Sequence, residues 1–392
     1  MFRSGDQNYS LQWEGVHNSD DLEGFLGLSE AGGAEDIEKA AAFLGCPGLN
    51  IVYADITGRI GKVFAGRFPH RRGFDGSLVV NGTTTRYDGE DIITEEHWPK
   101  VTDPPGGIIV SANEAPHQDK ELPLLSLFPS PDHRARRILE VLEEKEKHTQ
   151  DTALKPQTDI RSLYASEIMP VILDAAVQTG LDRWAEAAAA VLKEWDFAFS
   201  LHSVGASVFH SFYQALLRIL FEEKMGSILF RKFSEGYSGY IAVQKLFENS
   251  SSPLWEGSMP EKIALALSEG TQVLVKRCGT VPRAWQWGRL FELELTSPYA
   301  LIPGIRDRKG RIKLGQGRGT YTTPLQFMHR RKGKKEIARL GPAARLFVEL
   351  SDPPVVKAVL SSGQSEIPSN PHFADMTEKY MSGDLIQLNA FK

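Results

Sequence analysis

The sequence predicts an α+β protein rather than an alternating α/β one, and three observations carry that reading. Strand-like alternation is confined to the two ends of the chain, helical spacing fills the middle, and no run of strand–helix–strand units links them. The 35 glycines and 22 prolines call for long irregular connections. Among 392 residues, 41% apolar side chains beside 24% charged ones supply a core for one enzyme-sized body or two to three domains, and they exclude global disorder.

Taken in order, Asn18-Ser19-Asp20-Asp21 reads as a helix cap ahead of Leu22–Leu28. A second short helix, Ala34–Gly45, follows the Gly32-Gly33 break and carries acids in its first turn, where they suit the helix dipole. Asn50–Pro69 reads as strand, turn, strand: Val52, Ala54 and Ile56 alternate, Thr57-Gly58 turns the chain, and Ile60–Ala65 returns. Residues 70–107, rich in Gly, Asp, Thr and Pro, read as a long loop carrying short strands. Helices are expected from Asp132 to Lys276. Ile138, Leu139 and Leu142 share one face, as do Ile168, Val171, Ile172 and Ala175, and again Val208, Phe212, Leu216 and Ile219. Beyond Pro282, strands are expected at Trp285–Leu295, Thr320–Met328, Arg345–Leu350 and Val355–Leu360. The chain thus divides into parts 1–130, 131–280 and 281–392. Its strand-rich ends, Asn50–Pro69 with Gly107–Asn113 and Trp285–Leu360, are expected to meet in one sheet system, with helices 132–278 as a separate cluster.

Composition removes several functions. With 45 Lys and Arg against 50 Asp and Glu, the net charge of −5 argues against a nucleic-acid partner. Two cysteines, Cys46 and Cys278, exclude a disulfide scaffold and a thiolate zinc cage; one disulfide and two free thiols both stay open. No apolar run approaches the roughly 18 residues of a membrane span, and the first residues have no secretory apolar region, so no membrane span is expected and the compartment is left open. The Gly61-Lys62 pair lacks the remainder of a phosphate-binding loop. Gly315–Gly319 places its third glycine one position early for a dinucleotide loop and reads as a turn. No HExxH occurs, so no catalytic metal and no cofactor is expected. Ser238 lacks the closing glycine of a nucleophile elbow. His210, among Phe209, Phe212 and Tyr213, reads as a core histidine rather than a base. The basic run Arg330–Lys335 reads as a solvated loop.

Three segments, in this order, carry a resemblance. The first is Asn50–Gly61, continuing to Ala65–Pro69. The second is Gly107–Pro116, with Arg134–Ile138 downstream. The third is Val359–Ser365, followed by Pro368 and His372–Asp375. Supporting matches lie at Gln157–Ala165, Leu192–Asp196, Trp285–Gly288 and Arg345–Asp352. From about Tyr9 onward the chain resembles the large chain of the penicillin acylase family, the N-terminal nucleophile amide hydrolases. The resemblance implies an αββα sandwich with an inserted helical region. Residues 1–130 would carry the asparagine motif, 131–280 the helices, and 281–392 the strands completing the core.

It also implies a chemistry. In the family a terminal serine attacks the amide, and its own α-amino group, which titrates near neutrality, serves as base. The oxyanion is held by a backbone N–H and by an asparagine side-chain amide. By resemblance that asparagine is Asn113, and Arg161 matches an arginine that orients it and the amino terminus. Without the resemblance, Asn113 ahead of Pro116 reads as a turn residue and Arg161 as a surface ion-pair partner of Asp159 or Glu167.

Departures from the pattern sharpen the expectation. The chain starts well inside the family's large chain, so the nucleophile end has no counterpart here, and neither Ser4 nor Cys46 replaces it. Glu114 follows Asn113, and a carboxylate facing an oxyanion site would repel it. Glu366 stands where a glycine usually follows Gly363-Gln-Ser, which questions that turn. The family's calcium-binding aspartate aligns near Leu124. The expected function is therefore a penicillin acylase-like hydrolase of linear amide bonds, as in acylated β-lactams or acyl-homoserine lactones, truncated or split and inactive alone. Its partner would be a complementary segment or small chain carrying the nucleophile, and its substrate an acylated amide. The alternative is a non-catalytic remnant or binding module that keeps the scaffold.

Overall fold

The structure is a computed structural model that describes residues 2–388 apart from 5, 18, 72, 89, 90, 118, 120, 121, 123, 295–310, 313–320, 325, 326, 333 and 334. It divides into two compact units, Met1–Asp132 and His133–Lys392.

The first unit opens with a hairpin of β1 (Phe2–Ser4) and β2 (Gln7–Tyr9). Helices α1 (Asp21–Glu30) and α2 (Ala34–Ala41) then pack through glycine. A Cβ on Gly24 would lie 2.7 Å from the Leu44 side chain, and one on Gly27 would lie 2.9 Å from the Ala40 Cβ, so only hydrogen fits at this crossing. The expected cap is realised differently. Asp20 makes no side-chain cap, while Asp21 accepts Gly45 N at 2.6 Å and the Ser19 hydroxyl at 2.6 Å, so its carboxylate spans two segments instead of closing its own helix.

Strands β3 (Leu49–Ala54) and β4 (Ile60–Ala65) form the expected hairpin, in register from Leu49↔Ala65 to Ala54↔Ile60. Asp55 holds the turn by accepting from Thr57 N, the Thr57 hydroxyl and Arg59 N, and Gly58 supplies φ +89°. Two-residue strands β5 (Phe68–Pro69) and β6 (Ile92–Ile93) pair with each other. Strand β7 (Lys100–Thr102) adds to β4. The small core holds Val63, Phe64, Phe68, Ile93 and Trp98, with Phe68 stacked 4.9 Å from Phe64 and edge-on to Trp98. Residues 70–107 are the expected loop with short strands. Gly107–Asn113, expected as strand, carries no ladder.

The second unit is mostly helical: α3 (His133–Glu143), α4 (Gln150–Thr158), α5 (Leu163–Thr179), α6 (Arg183–Lys193), α7 (Val204–Met225), α8 (Ser227–Glu235), α9 (Tyr237–Phe247) and α10 (Met259–Cys278). Side chains of Ser162, Asp182, Ser203 and Ser258 cap α5, α6, α7 and α10, satisfying first-turn N–H groups. Helix α7 is the core helix, and α10 crosses it at Gly270, where a Cβ would meet Ser211 backbone at 2.6 Å. Four tyrosines, Tyr164, Tyr213, Tyr240 and Tyr321, gather beside it with ring centroids 5.4–6.2 Å apart. Burial pushes the Tyr164 and Tyr213 hydroxyls well above the usual phenol range. Of the faces read from spacing, Val171 departs: it is exposed on the flank of α5. By length and composition alone α7 is apolar enough to cross a membrane, but 72% of that window is buried in the unit, as in a core helix.

Beyond the helices, Trp285–Leu290 is not strand: a 3-10 turn, Pro282–Ala284, precedes it, and it ends in the short helix α11 (Trp287–Leu290). Trp287 N and Gly288 N donate to Ser203 O and Leu201 O, which removes them from any ladder. Strand β8 (Phe291–Glu294) follows, then β9 (Arg311–Ile312), β10 (Phe327–Lys332) and β11 (Lys335–Leu340), in sheet order β10-β11-β8-β9. Within the expected strand Thr320–Met328, residues 321–324 form bends and Phe327 and Met328 open β10, while residues 320, 325 and 326 and the turn Gly315–Gly319 lie outside the described residues. The basic run, expected as loop, lies in β10 and β11 wherever it is described. Strands β12 (Ala344–Glu349) and β13 (Val355–Leu360) match expectation. They pair with each other, and past α12 (Thr377–Ser382) β14 (Ile386–Leu388) adds to β13. Each sheet among the described residues lies within one unit, so no ladder among them joins the two strand-rich ends.

Candidate active site

Asn113 sits in the first unit in the left-handed backbone region, at φ +67°. Asparagine is among the few residues that take this conformation readily. Its carbonyl accepts from Ser130 N at 2.6 Å, and Glu114 and Ser130 form an isolated parallel bridge. Residues 114 and 130 thus come together beside Asn113, and Asn113 itself is exposed.

The Glu114 carboxylate is turned onto other groups. Oε2 accepts Ala112 N at 2.6 Å and Oε1 lies 3.3 Å from Lys62 Nζ. Lys62 also donates to Val110 O at 3.2 Å, so this one ammonium joins β4 to the asparagine segment. The first two resemblance segments are therefore one network, centred on a lysine that the sequence reading met only while rejecting a phosphate loop. The alternation of β4 is the signal that places Lys62 on the face opposite Val63.

Leu122 and Leu124 line a cleft of about 250 Å³ together with Pro69, His70, Arg71, Phe74 and Asp75. These residues do not fit calcium. Leu124 presents an apolar side chain. Asp75, the one carboxylate, already accepts Ser77 N and the Ser77 hydroxyl, bonds that hold it below the usual carboxylate range, and Arg71 brings a cation. Calcium takes about six to eight oxygen ligands. Among the described residues no cluster of His, Cys, Asp or Glu could hold a metal.

Arg161 belongs to the second unit. Its N–H donates to Asp159 Oδ1 at 2.8 Å, it forms an isolated bridge with Ala198, and its guanidinium stands 5.9 Å above the Phe197 ring. Neither carboxylate weighed as its ion-pair partner takes that role. Asp159 Oδ2 is held by Arg137 Nη2 at 2.6 Å and Nε at 3.1 Å, and Glu167 is paired with Arg136. Phe197 is held at φ +63°, a strained conformation for a bulky residue, while its carbonyl accepts Ser162 N. Asn113 and Arg161 each stand in their own unit.

The remaining resemblance residues are structural. Arg134 is buried and its Nε and Nη2 donate to Thr323 O at 3.2 Å. Trp195 covers Gly205, where a Cβ would sit 2.2 Å from the indole. A Cβ on Gly363 would lie 2.0 Å from His372 O and 2.4 Å from the Asp375 carboxylate, and Ser365 N donates to His372 O. The turn is tight despite Glu366. His210 is a core residue, 2% exposed, with Nε2 3.2 Å from Glu336, which Arg277 also meets at 3.1 Å. Cys46 and Cys278 are not joined in a disulfide.

Known proteins resemble this chain in sequence and in fold. An acyl-homoserine lactone acylase, QuiP, from Pseudomonas aeruginosa is 27% identical over 411 residues, covering 96% of this chain and 48% of that protein. Penicillin acylase 2 proenzyme from a Pseudomonas species is 27% identical over 336 residues, covering 83% of this chain and 42% of that protein. This chain spans about half the length of these curated relatives. The solved structure of a thermostable penicillin G acylase from Alcaligenes faecalis superposes with a TM-score of 0.68 at 15% identity, over 95% of this chain and 69% of that one, which shows a shared fold. The penicillin amidase family profile matches residues 2–390, essentially the whole sequence: the chain belongs to the penicillin amidase family.

Proposed function

We propose that this chain is the oxyanion-binding portion of a penicillin acylase-like hydrolase of linear amide C–N bonds, acting with a complementary segment that carries the terminal nucleophile. The substrates are acylated amides, such as the side chains of β-lactams or acyl-homoserine lactones. In this reading residues 1–130 and 281–392 belong to an αββα sandwich and 131–280 to its inserted helical region. Asn113 donates its side-chain amide to the tetrahedral oxygen, and Arg161 positions that asparagine and the amino terminus.

The observation that carries the reading is the arrangement at Asn113. The residue is exposed where residues 114 and 130 come together, and the neighbouring carboxylate of Glu114 is neutralised by Lys62 and by Ala112 N. A neutral amide donor beside a paired carboxylate suits a developing oxyanion. The free guanidinium geometry of Arg161, with both adjacent carboxylates taken by other arginines, leaves its charge available for a site.

The test separates an oxyanion donor from a turn residue. Asn113→Gly keeps the left-handed backbone, whereas Asn113→Ala strains it by roughly 1 kcal/mol. In an enzyme completed with the nucleophile-bearing segment, both variants should lose on the order of 10²–10³ in kcat, with KM little changed. Full activity in Asn113→Gly beside a loss in Asn113→Ala returns Asn113 to a turn and leaves the oxyanion to another donor.

A further inference from the structure

Helix α1 packs backwards for a surface helix. Its small face, Gly24 and Gly27, is pressed against Ala40 and Leu44 of the α2 segment, while its large apolar side chains point away. Leu22, Phe25 and Leu26, at helical spacing on one face, are 72%, 53% and 51% exposed. Trp13 and Val16, on the segment before the helix, are also 53% and 69% exposed. Both pieces are anchored at one place: Glu14 pairs with Arg67, Arg67 N donates to Gly45 O, and Gly45 N donates to Asp21. An apolar face held in a fixed frame yet left bare marks an interaction surface.

We infer that this face docks the complementary polypeptide of the same hydrolase, through an apolar surface of the partner rimmed by basic residues. The inference rests on the two-segment reading above and adds the surface that joins the segments. Charge selects the occupant. Residues 11–30 carry Glu14, Asp20, Asp21, Glu23 and Glu30 and no lysine or arginine. On the helical wheel Glu23 and Glu30 flank Leu26, and Asp21 flanks Phe25. A second copy would bring acid to acid, and an anionic lipid surface would be repelled. The curated relatives are about twice the length of this chain, so a segment of matching size exists in them to cover the face.

The probe is the half of the Pseudomonas aeruginosa acylase that this chain does not match, purified and mixed with the full chain. Sedimentation should show a one-to-one complex that weakens with salt. Phe25→Glu and Leu22→Glu should each weaken it at least about tenfold while leaving the melting temperature of the chain alone unchanged. Val177→Glu, an equally exposed apolar site in the second unit, should leave the affinity as it was. No complex, a complex indifferent to Phe25→Glu, or a self-dimer abolished by Phe25→Glu overturns the inference. A Phe25-dependent complex that hydrolyses nothing leaves the surface standing and removes the catalytic reading; hydrolysis unaffected by Phe25→Glu does the reverse.

Discussion

Lys62 Nζ stands 3.3 Å from Glu114 Oε1, and this pair ties the central strand of the first unit's sheet to the residue after Asn113. Both side chains are largely shielded, at 17% and 15% exposure, so neither charge is solvated well without the other. Lys62→Met should therefore destabilise the first unit by about 2 kcal/mol, the usual penalty of a shielded acceptor left without its donor. The double variant Lys62→Met with Glu114→Gln should recover part of that loss, because an amide tolerates the site uncharged. Urea unfolding of the four species in a double-mutant cycle measures it; additive losses would show that the two groups do not interact.

Arginine positions around Asp159 should separate structure from function. Arg137→Ala strands a carboxylate that its guanidinium grips twice, and should cost about 3 kcal/mol. Arg161→Ala removes only a ring contact at 5.9 Å and should stay within about 0.5 kcal/mol of the parent. Thermal denaturation of both checks the contrast. A large stability loss for Arg161→Ala would assign Arg161 to the scaffold.

Gly363→Ala should be among the most damaging single substitutions in the second unit. A methyl there overlaps the His372 carbonyl, which is backbone and cannot swing away. The loss should exceed about 2 kcal/mol, the range for overpacking, whereas Glu366→Gly should change stability little. Melting temperatures of the two variants decide the matter.

Asp182 caps α6 and accepts from Ser268, Ala185 N and Trp184 N. These bonds, the Ser268 hydroxyl first, hold its carboxyl below the ordinary range. Its folded-state value is lower than its unfolded one, so its stabilisation is full above the ordinary carboxylate value and fades as pH falls through the lowered one. Asp182→Ala should cost about 1 kcal/mol near neutrality and progressively less in acid. Unfolding curves across that acidic range would show the gap closing; a gap independent of pH would mean that the charge plays no part.

The sequence was informative wherever a local signal was strong. The hairpin at Asn50–Pro69 could be read because Thr57-Gly58 demands a turn and the flanks alternate, and the structure pairs Leu49 with Ala65 as that pattern requires. Trp285–Leu290 misled because its aromatic, β-prone residues are also what a buried one-turn helix uses, and the donors that decide between them bind carbonyls near position 200. Asn113 was found through resemblance, but Lys62 was not. No spacing rule reveals a lysine whose partner lies 52 residues away and whose role is to quiet a carboxylate. No ladder among the described residues joins the two strand-rich ends, for a related reason: alternation identifies a strand but not its neighbour.

The tyrosine cluster beside α7 gives the second unit an optical marker. Phenols absorb differently once ionised, and exposed tyrosines ionise near pH ~10. Tyr164 and Tyr213, whose hydroxyls burial pushes far above that, hold their protons for as long as the helices around them stay packed. Unfolding releases them at once, so the folded state loses ground as pH rises past the ordinary phenol value. In an alkaline ultraviolet titration the solvent-facing tyrosines should ionise smoothly and reversibly. Those beside α7 should follow in a separate, abrupt step, coincident with loss of helical circular dichroism, so that phenolate absorbance reports opening of this one core.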